Sequence, residues 1–200
     1  MESLSNQEKL NFLFEKIKDC NRCPLGKTRT HVVFGEANAD SKVIFIGEGP
    51  GKEEDIQGIP FVGRSGQLLS QAISEVFQWT RKNYYITNIV KCRPTIDLKM
   101  IKDRAPEKNE VEACLPILTM QLEIIKPVVI IAVGSSAAKA LLNINQGITS
   151  IHGKWHDYRG ISLMPIFHPS YVLRNGGKVS PQYNLMKLDL EKARDFINNN

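Results

Sequence analysis

No stretch of the 200-residue chain approaches the ~18 consecutive apolar residues that a membrane-spanning helix requires. A membrane partner is therefore not expected. Met1 to Lys18 breaks its apolar positions with Glu2, Glu8, Lys9 and Glu15, so it lacks the uninterrupted apolar run of a secretory signal. The expectation is a cytoplasmic protein, active at the nucleoid, in a compartment where thiols stay reduced. There is no internal repeat, and low complexity is confined to the Asn198-Asn199-Asn200 tail. Fourteen glycines and ten prolines are too few for a collagen-like chain, and 42% hydrophobic residues are too many for a disordered one. Cysteine is scarce, with four in all and none left over from a set of four.

What remains is ordinary globular composition, with 24% charged residues and a length that suits one domain spanning residues 1–200. Lys and Arg number 26 against 21 acidic residues, giving +5 and a pI near 9.0. Such a balance permits an anionic partner without requiring one.

Four short apolar runs are rich in β-branched and aromatic residues and have the length of strands: 43–46, 84–90, 128–133 and 161–167. The third is continuously apolar, as expected of a strand covered on both faces. Helical periodicity occupies 67–77, 106–125 and 135–142, with terminal helices at 7–18 and 183–197. Strands alternating with helices predict a three-layer α/β/α sandwich around a central four-stranded, mainly parallel sheet. Ligands of such folds sit beyond the carboxyl ends of the strands. There the sequence reads Gly47-Glu48-Gly49-Pro50-Gly51, then Asn88 and Cys92, then Gly134-Ser135-Ser136, then His168-Pro169-Ser170.

Cys20 and Cys23 form a C-x-x-C pair whose tight turn aims two sulfurs at one metal, with Cys92 and Cys114 far downstream. One pair plus two scattered cysteines suits an iron–sulfur cluster at least as well as zinc, and spacing leaves both open. The Gly47–Gly51 stretch is neither a Walker motif nor G-x-G-x-x-G, and Glu48 is its one ionisable group. Glu53, Glu54 and Asp55 read as a solvated acidic turn. Phe61, between Pro60 and Val62-Gly63, suits a platform for a planar ring. Asn88 places donor and acceptor side by side within a strand, where Asn is depleted. Ser135 and Ser136 at a helix start offer a phosphate seat or simply an N-cap. His168, Ser170, Tyr171 and Arg174 share one loop, and His152, Lys154, His156 and Arg159 form a small basic group.

Together Cys20-Asn21-Arg22-Cys23, Gly47–Gly51, Pro60-Phe61-Val62-Gly63, Asn88-Ile89-Val90-Lys91-Cys92-Arg93-Pro94 and His168-Pro169-Ser170-Tyr171 resemble the family 4-type, iron–sulfur branch of the uracil-DNA glycosylases. The resemblance implies that Cys20, Cys23, Cys92 and Cys114 hold a [4Fe–4S] cluster. It implies a monomeric repair enzyme that acts on uracil-containing DNA and leaves an abasic site. Glu48 and His168 would be catalytic, and Gly49, Phe61, Asn88 and His168 would bind uracil. Ser135, Ser136, Lys154, Ser170, Tyr171, Leu173 and Arg174 would contact DNA, with Tyr171, Val172 or Leu173 as the wedge. Two departures from the family pattern stand out: an unusually long Thr95–Lys108 stretch carrying Lys99, Lys102, Asp103 and Arg104, and His152 where Arg is expected. The competing readings are a non-catalytic metal protein that binds nucleic acid and a related glycosylase with another base choice, such as hypoxanthine.

Overall fold

The computed structural model describes residues 4–96 and 102–199. Its centre is one six-stranded sheet in the order β1-β3-β2-β4-β6-β5, formed by β1 (Glu36–Ala37), β2 (Val43–Gly47), β3 (Tyr85–Asn88), β4 (Val129–Val133), β5 (His156–Tyr158) and β6 (Ile161–Ile166). The four expected strands are the inner four, and they are mutually parallel. The expected strand count of four is corrected to six, because short antiparallel strands β1 and β5 close the two edges.

Every residue of β2, β3 and β4 is buried, so these strands carry apolar side chains on both faces. Alternate residues feed two separate cores. Ile44, Ile46, Ile130, Ala132 and Leu163 pack against α1 (Asn6–Ile17), α4 (Lys108–Ile125) and α5 (Ser135–Leu142). Val43, Phe45, Ile131, Val133, Met164 and Ile166 pack against α3 (Arg64–Phe77) and α8 (Pro181–Asn198). That is the three-layer arrangement expected from the alternating pattern. Among the described residues no helix is long and apolar enough to cross a membrane.

The helix ends follow from local chemistry. Ser5 caps α1 in a reciprocal box with Glu8, and Glu107 caps α4 in the same way with Glu110. The expected start of α4 at Pro106 therefore moves to Lys108, with Glu107 as its cap. Lys126 stops α4 in the left-handed conformation just before Pro127. Three short helices had not been foreseen: α2 (Lys52–Gln57), α6 (Ile148–Ile151) and α7 (Pro169–Arg174). The parallel strands place Gly47, Asn88, Val133 and Ile166 at one end of the sheet, where the connections to α2, α4, α5 and α7 begin.

Candidate active site

The β2 and β3 ends are stitched together beyond the sheet, where the Ile89 N–H donates to Gly47 O (2.8 Å) and the Val90 N–H to Glu48 O (3.2 Å). Gly47 lies where three groups converge. A Cβ there would sit 2.5 Å from Asn88 Oδ1 and 2.5 Å from Phe61 Cζ, so only glycine lets carboxamide and ring meet. Asn88 is 2% exposed, and its carboxamide makes no hydrogen bond with the described residues. An unspent donor and acceptor in a buried setting is the arrangement that a hydrogen-bonding ligand requires.

Phe61 is held rigidly. Its backbone is left-handed, with φ of 55°, a conformation costly for an aromatic residue and typical of functional sites. Gly66 lets the chain approach so closely that a Cβ there would fall 2.0 Å from the Phe61 carbonyl oxygen. The Gly63 N–H donates to Glu54 Oε1 at 2.9 Å, and the Arg81 guanidinium donates to the Pro60 carbonyl. The acidic stretch is thus not a solvated turn. It forms α2, where Glu54 braces the phenylalanine loop, and the buried Asp55 accepts the Thr30 N–H at 2.9 Å.

Glu48 and His168 line one pocket of about 260 Å³, together with Gly134, Ser135, Ser136, Ser170, Tyr171 and Arg174. Asn88 and Phe61 do not line it; they adjoin it across Gly47, next to Glu48. Burial raises the Glu48 carboxyl above its ordinary range, and the hydrogen bond with the Ser136 side chain partly offsets this. The Ser136 contact is tertiary and has no signature in the sequence. Gly134, with φ of 94°, lets His168 come close, since a Cβ there would lie 2.8 Å from His168 Cβ.

Burial, followed by the nearby Arg174 charge, pushes the His168 imidazole down to about 4. Its Nδ1 accepts the Ser170 N–H at 3.1 Å and lies 2.7 Å from Ser170 Oγ. A backbone N–H can only donate, so the proton of the neutral ring belongs on Nε2. The site therefore joins a carboxylate of raised basicity to a neutral imidazole donor.

Other expected contacts are redistributed. Gly49 packs against Val90, whose Cγ2 would be 2.8 Å from an added Cβ, and does not line the pocket. Ser135 and Ser136 are not the cap of α5; Gly134 is, leaving both serines in the first turn. His168-Arg174 is not a loop but mostly α7, with Pro169 at its first position. Val172 is wholly buried within it, which removes it as a wedge. Tyr171 stacks on Phe167 with ring centroids 5.6 Å apart, and Leu173 is half-buried. Lys154 is exposed and away from the pocket lining. His152 is bound to the buried Asp189 (Nδ1 to Oδ2, 2.8 Å), and the Arg159 guanidinium lies over Tyr158. The ends of the long stretch are pinned by a Thr95–Asp103 bridge, an Arg93–Asp103 ion pair (2.6 Å) and an Arg104–Glu110 pair (2.7 Å). Lys99 lies outside the described residues.

The four cysteines converge from the segment after α1, the loop after β3 and the middle of α4. They line one pocket with Ile17, Arg22, Val32, Lys91 and Ala113. Arg29 Nη1 lies 3.8 Å from Cys92 Sγ, and the Lys91 N–H donates to Cys114 Sγ at 3.3 Å. Among the described residues no three acidic, imidazole or thiol side chains are grouped to hold one metal ion. The pocket lining offers four thiols and neither carboxylate nor imidazole, a donor set that fits an iron–sulfur cluster or a structural zinc. Lys91, 1% exposed, lines the same pocket; burial pushes its amine down to about 7, while the Cys114 and Cys92 charges act in the opposite direction.

The family model described as "Uracil DNA glycosylase superfamily" matches residues 34–192. The chain belongs to that superfamily. The resemblance read from the motifs is thereby borne out. Within the superfamily, the chain is similar to the type-4 uracil-DNA glycosylase of Thermotoga maritima, 40% identical over 96% of this chain and 97% of the relative. It is similar to that of Pyrobaculum aerophilum, 42% identical over 82% and 85%, and to that of Saccharolobus solfataricus, 34% identical over 95% and 87%.

Proposed function

We propose that the protein excises uracil from DNA, hydrolysing the N-glycosidic bond of deoxyuridine to give free uracil and an abasic site. The observation that carries this reading is the shared pocket of Glu48 and His168, flanked across Gly47 by Asn88 and Phe61. A non-catalytic nucleic-acid binder has no use for this convergence.

Uracil in a duplex is out of reach, so its nucleotide must be extruded at the expense of a few kcal/mol of stacking. Tyr171, which lines the pocket, or Leu173, further along α7, would fill the space left behind. Ser135, Ser136, Ser170, Arg174 and Lys154 would take phosphates. Phe61 stacks on the extruded ring. Asn88 Oδ1 accepts the uracil N3–H while Nδ2 donates to O4; cytosine offers the reverse pattern and leaves both groups unpaired.

As the bond to the sugar lengthens, negative charge builds on the base and positive charge on the sugar. The His168 Nε2–H, with the Gly49 N–H, donates to O2 where charge accumulates, an effect often worth ~3 kcal/mol per donor. A neutral imidazole suits this role, since burial already holds it unprotonated. Glu48 orients and deprotonates the attacking water, its raised pKa making it a better base. Every group named comes from one chain, so a monomer suffices.

Cys20, Cys23, Cys92 and Cys114 would hold a [4Fe–4S] cluster, which when bound supplies a cross-link among three chain segments. Cys92 and Cys114 belong to the core on the α1–α4 side of the sheet, and Phe61 and Phe167 to the other. The test uses end-labelled oligonucleotides bearing uracil or hypoxanthine, followed by alkaline cleavage. Strand scission at uracil alone is expected; scission only at hypoxanthine, or none with iron-loaded protein, overturns the reading.

A further inference from the structure

His152 follows the last turn of α6, and its Nδ1 donates to Asp189 Oδ2 at 2.8 Å. Asp189 lies in α8 with its side chain 3% exposed, and a carboxylate so buried needs a partner. Its other neighbour, Lys192, is exposed and stands 3.9 Å from Oδ1. Gly153 makes the approach possible: its φ is 67°, and a Cβ there would collide with Asp189 Oδ1. The Gly153 N–H donates to Pro165 O at 2.9 Å, which ties this turn to β6. The pair thus fixes the His152 ring, which lies against Phe167 with centroids 4.4 Å apart. Phe167 in turn stacks on Tyr171 at 5.6 Å. Phe167 and Tyr171 line the pocket of Glu48 and His168, whereas His152 does not. Three rings therefore lead from a buried carboxylate on α8 to the wall of that pocket. His168 has anchors of its own, the Ser170 N–H on its Nδ1 and the close approach of Gly134, so the stack bears chiefly on Tyr171.

We propose that His152 is a positioning residue for nucleotide extrusion: anchored by Asp189, its ring closes the stack that holds Tyr171 ready to fill the space left in the duplex. This rests on the uracil-excision reading above and deepens it, since it assigns the wedge to Tyr171 and gives His152 a role that involves no phosphate. A duplex resists extrusion through pairing and stacking, whereas a single strand presents its uracil already unpaired. Loss of the stack therefore falls on the duplex substrate. A pair that merely ties α8 to the turn before β5 acts through the stability of the fold and affects both substrates alike.

The experiment measures single-turnover excision by the wild-type holoprotein and its variants from a uracil-containing duplex and from the same strand alone. His152→Gln keeps a donor for Asp189 and removes the ring. Its ratio of duplex to single-strand rate should fall about three- to ten-fold, the worth of one aromatic contact, with the single-strand rate within about two-fold of wild type. In a Tyr171→Ala background the same substitution should change the ratio by less than about two-fold, because the route is already cut. A wild-type ratio in His152→Gln overturns the proposal, as does equal slowing on both substrates or an undiminished effect in the absence of Tyr171. His152→Phe combined with Asp189→Leu restores a ring and removes the buried pair. Its ratio should stay within about two-fold of wild type, and a fall like that of His152→Gln overturns the proposal. This double variant carries the test if His152→Gln is not recovered folded. Wild-type protein that excises from the single strand but not from the duplex overturns the proposal and leaves the uracil reading standing. Wild-type protein that leaves both substrates intact refutes that reading, and the proposal with it.

Discussion

Gly47→Ala adds one methyl group at the point where the Asn88 carboxamide and the Phe61 ring meet. The new Cβ would lie 2.5 Å from each, against an ordinary contact of 3.4–4 Å, so both contacts must open by about 1 Å. Phe61 has little room to retreat. Its left-handed backbone is wedged against Gly66, and its loop is tied by Glu54 and Arg81. With Phe61 held, the residue 47 backbone must shift away from the ring and Asn88 must give way to it, so Asn88 loses the alignment of two hydrogen bonds to the base. At about 1–1.5 kcal/mol each, that is about 2–3 kcal/mol, or a roughly 30- to 150-fold slower single-turnover excision. Overpacking also destabilises the fold by about 1–3 kcal/mol, visible as a drop of about 2–4 °C in Tm per kcal/mol. Gly160→Ala is the control: its positive φ of 82° strains an alanine, but nothing lies within 4 Å, so it should lower Tm slightly and leave excision unchanged. Folded Gly47→Ala that excises uracil at the wild-type rate would refute the placement of Asn88 and Phe61 over one base.

The pH dependence follows from two shifts of opposite direction. Glu48 must be ionised to act, and burial raises its pKa above 4.5, so excision should fall with decreasing pH through a midpoint above that value; Glu48→Gln should flatten this limb at a much lower rate. His168 stays neutral down to about 4 and adds no limb above it. Because its unfolded value is about 6.5, the unfolded chain takes up the proton first, and stability should decline as pH drops from about 6.5 towards 4. His168→Gln should lose that decline in urea titrations and excise uracil about 100-fold more slowly, with DNA affinity retained. Asn88→Asp should weaken discrimination against cytosine, measured as the ratio of excision rates. Cys92→Ser should lose the visible iron–sulfur absorbance; a full visible band would contradict ligation.

Burial explains which parts of the fold were legible. β2 and β4 are apolar throughout because helices cover both faces, and that writes an unbroken run into the sequence. Edge strands β1 and β5, of two and three residues, are too short to carry a period. Helix α7 was hidden because His-Pro-Ser reads as a turn, although proline at a first helical position is equally its signature. Glu48, Asn88 and His168 were visible because each follows or ends an apolar strand run, where ligands of this fold class collect. Contacts made across the fold were not. Nothing in local sequence joins Ser136 to Glu48 or Glu54 to Gly63, and the burial of Val172 emerges only once its helix is packed.

In the proposed reaction Glu48, Asn88 and His168 act on one extruded base. A crystal structure of the Glu48→Gln holoprotein with a uracil-containing duplex tests this. The expected complex has the ring stacked on Phe61, with N3–H and O4 on the Asn88 carboxamide and O2 within hydrogen-bond distance of His168 Nε2. A uracil bound out of reach of either Asn88 or His168 would contradict it.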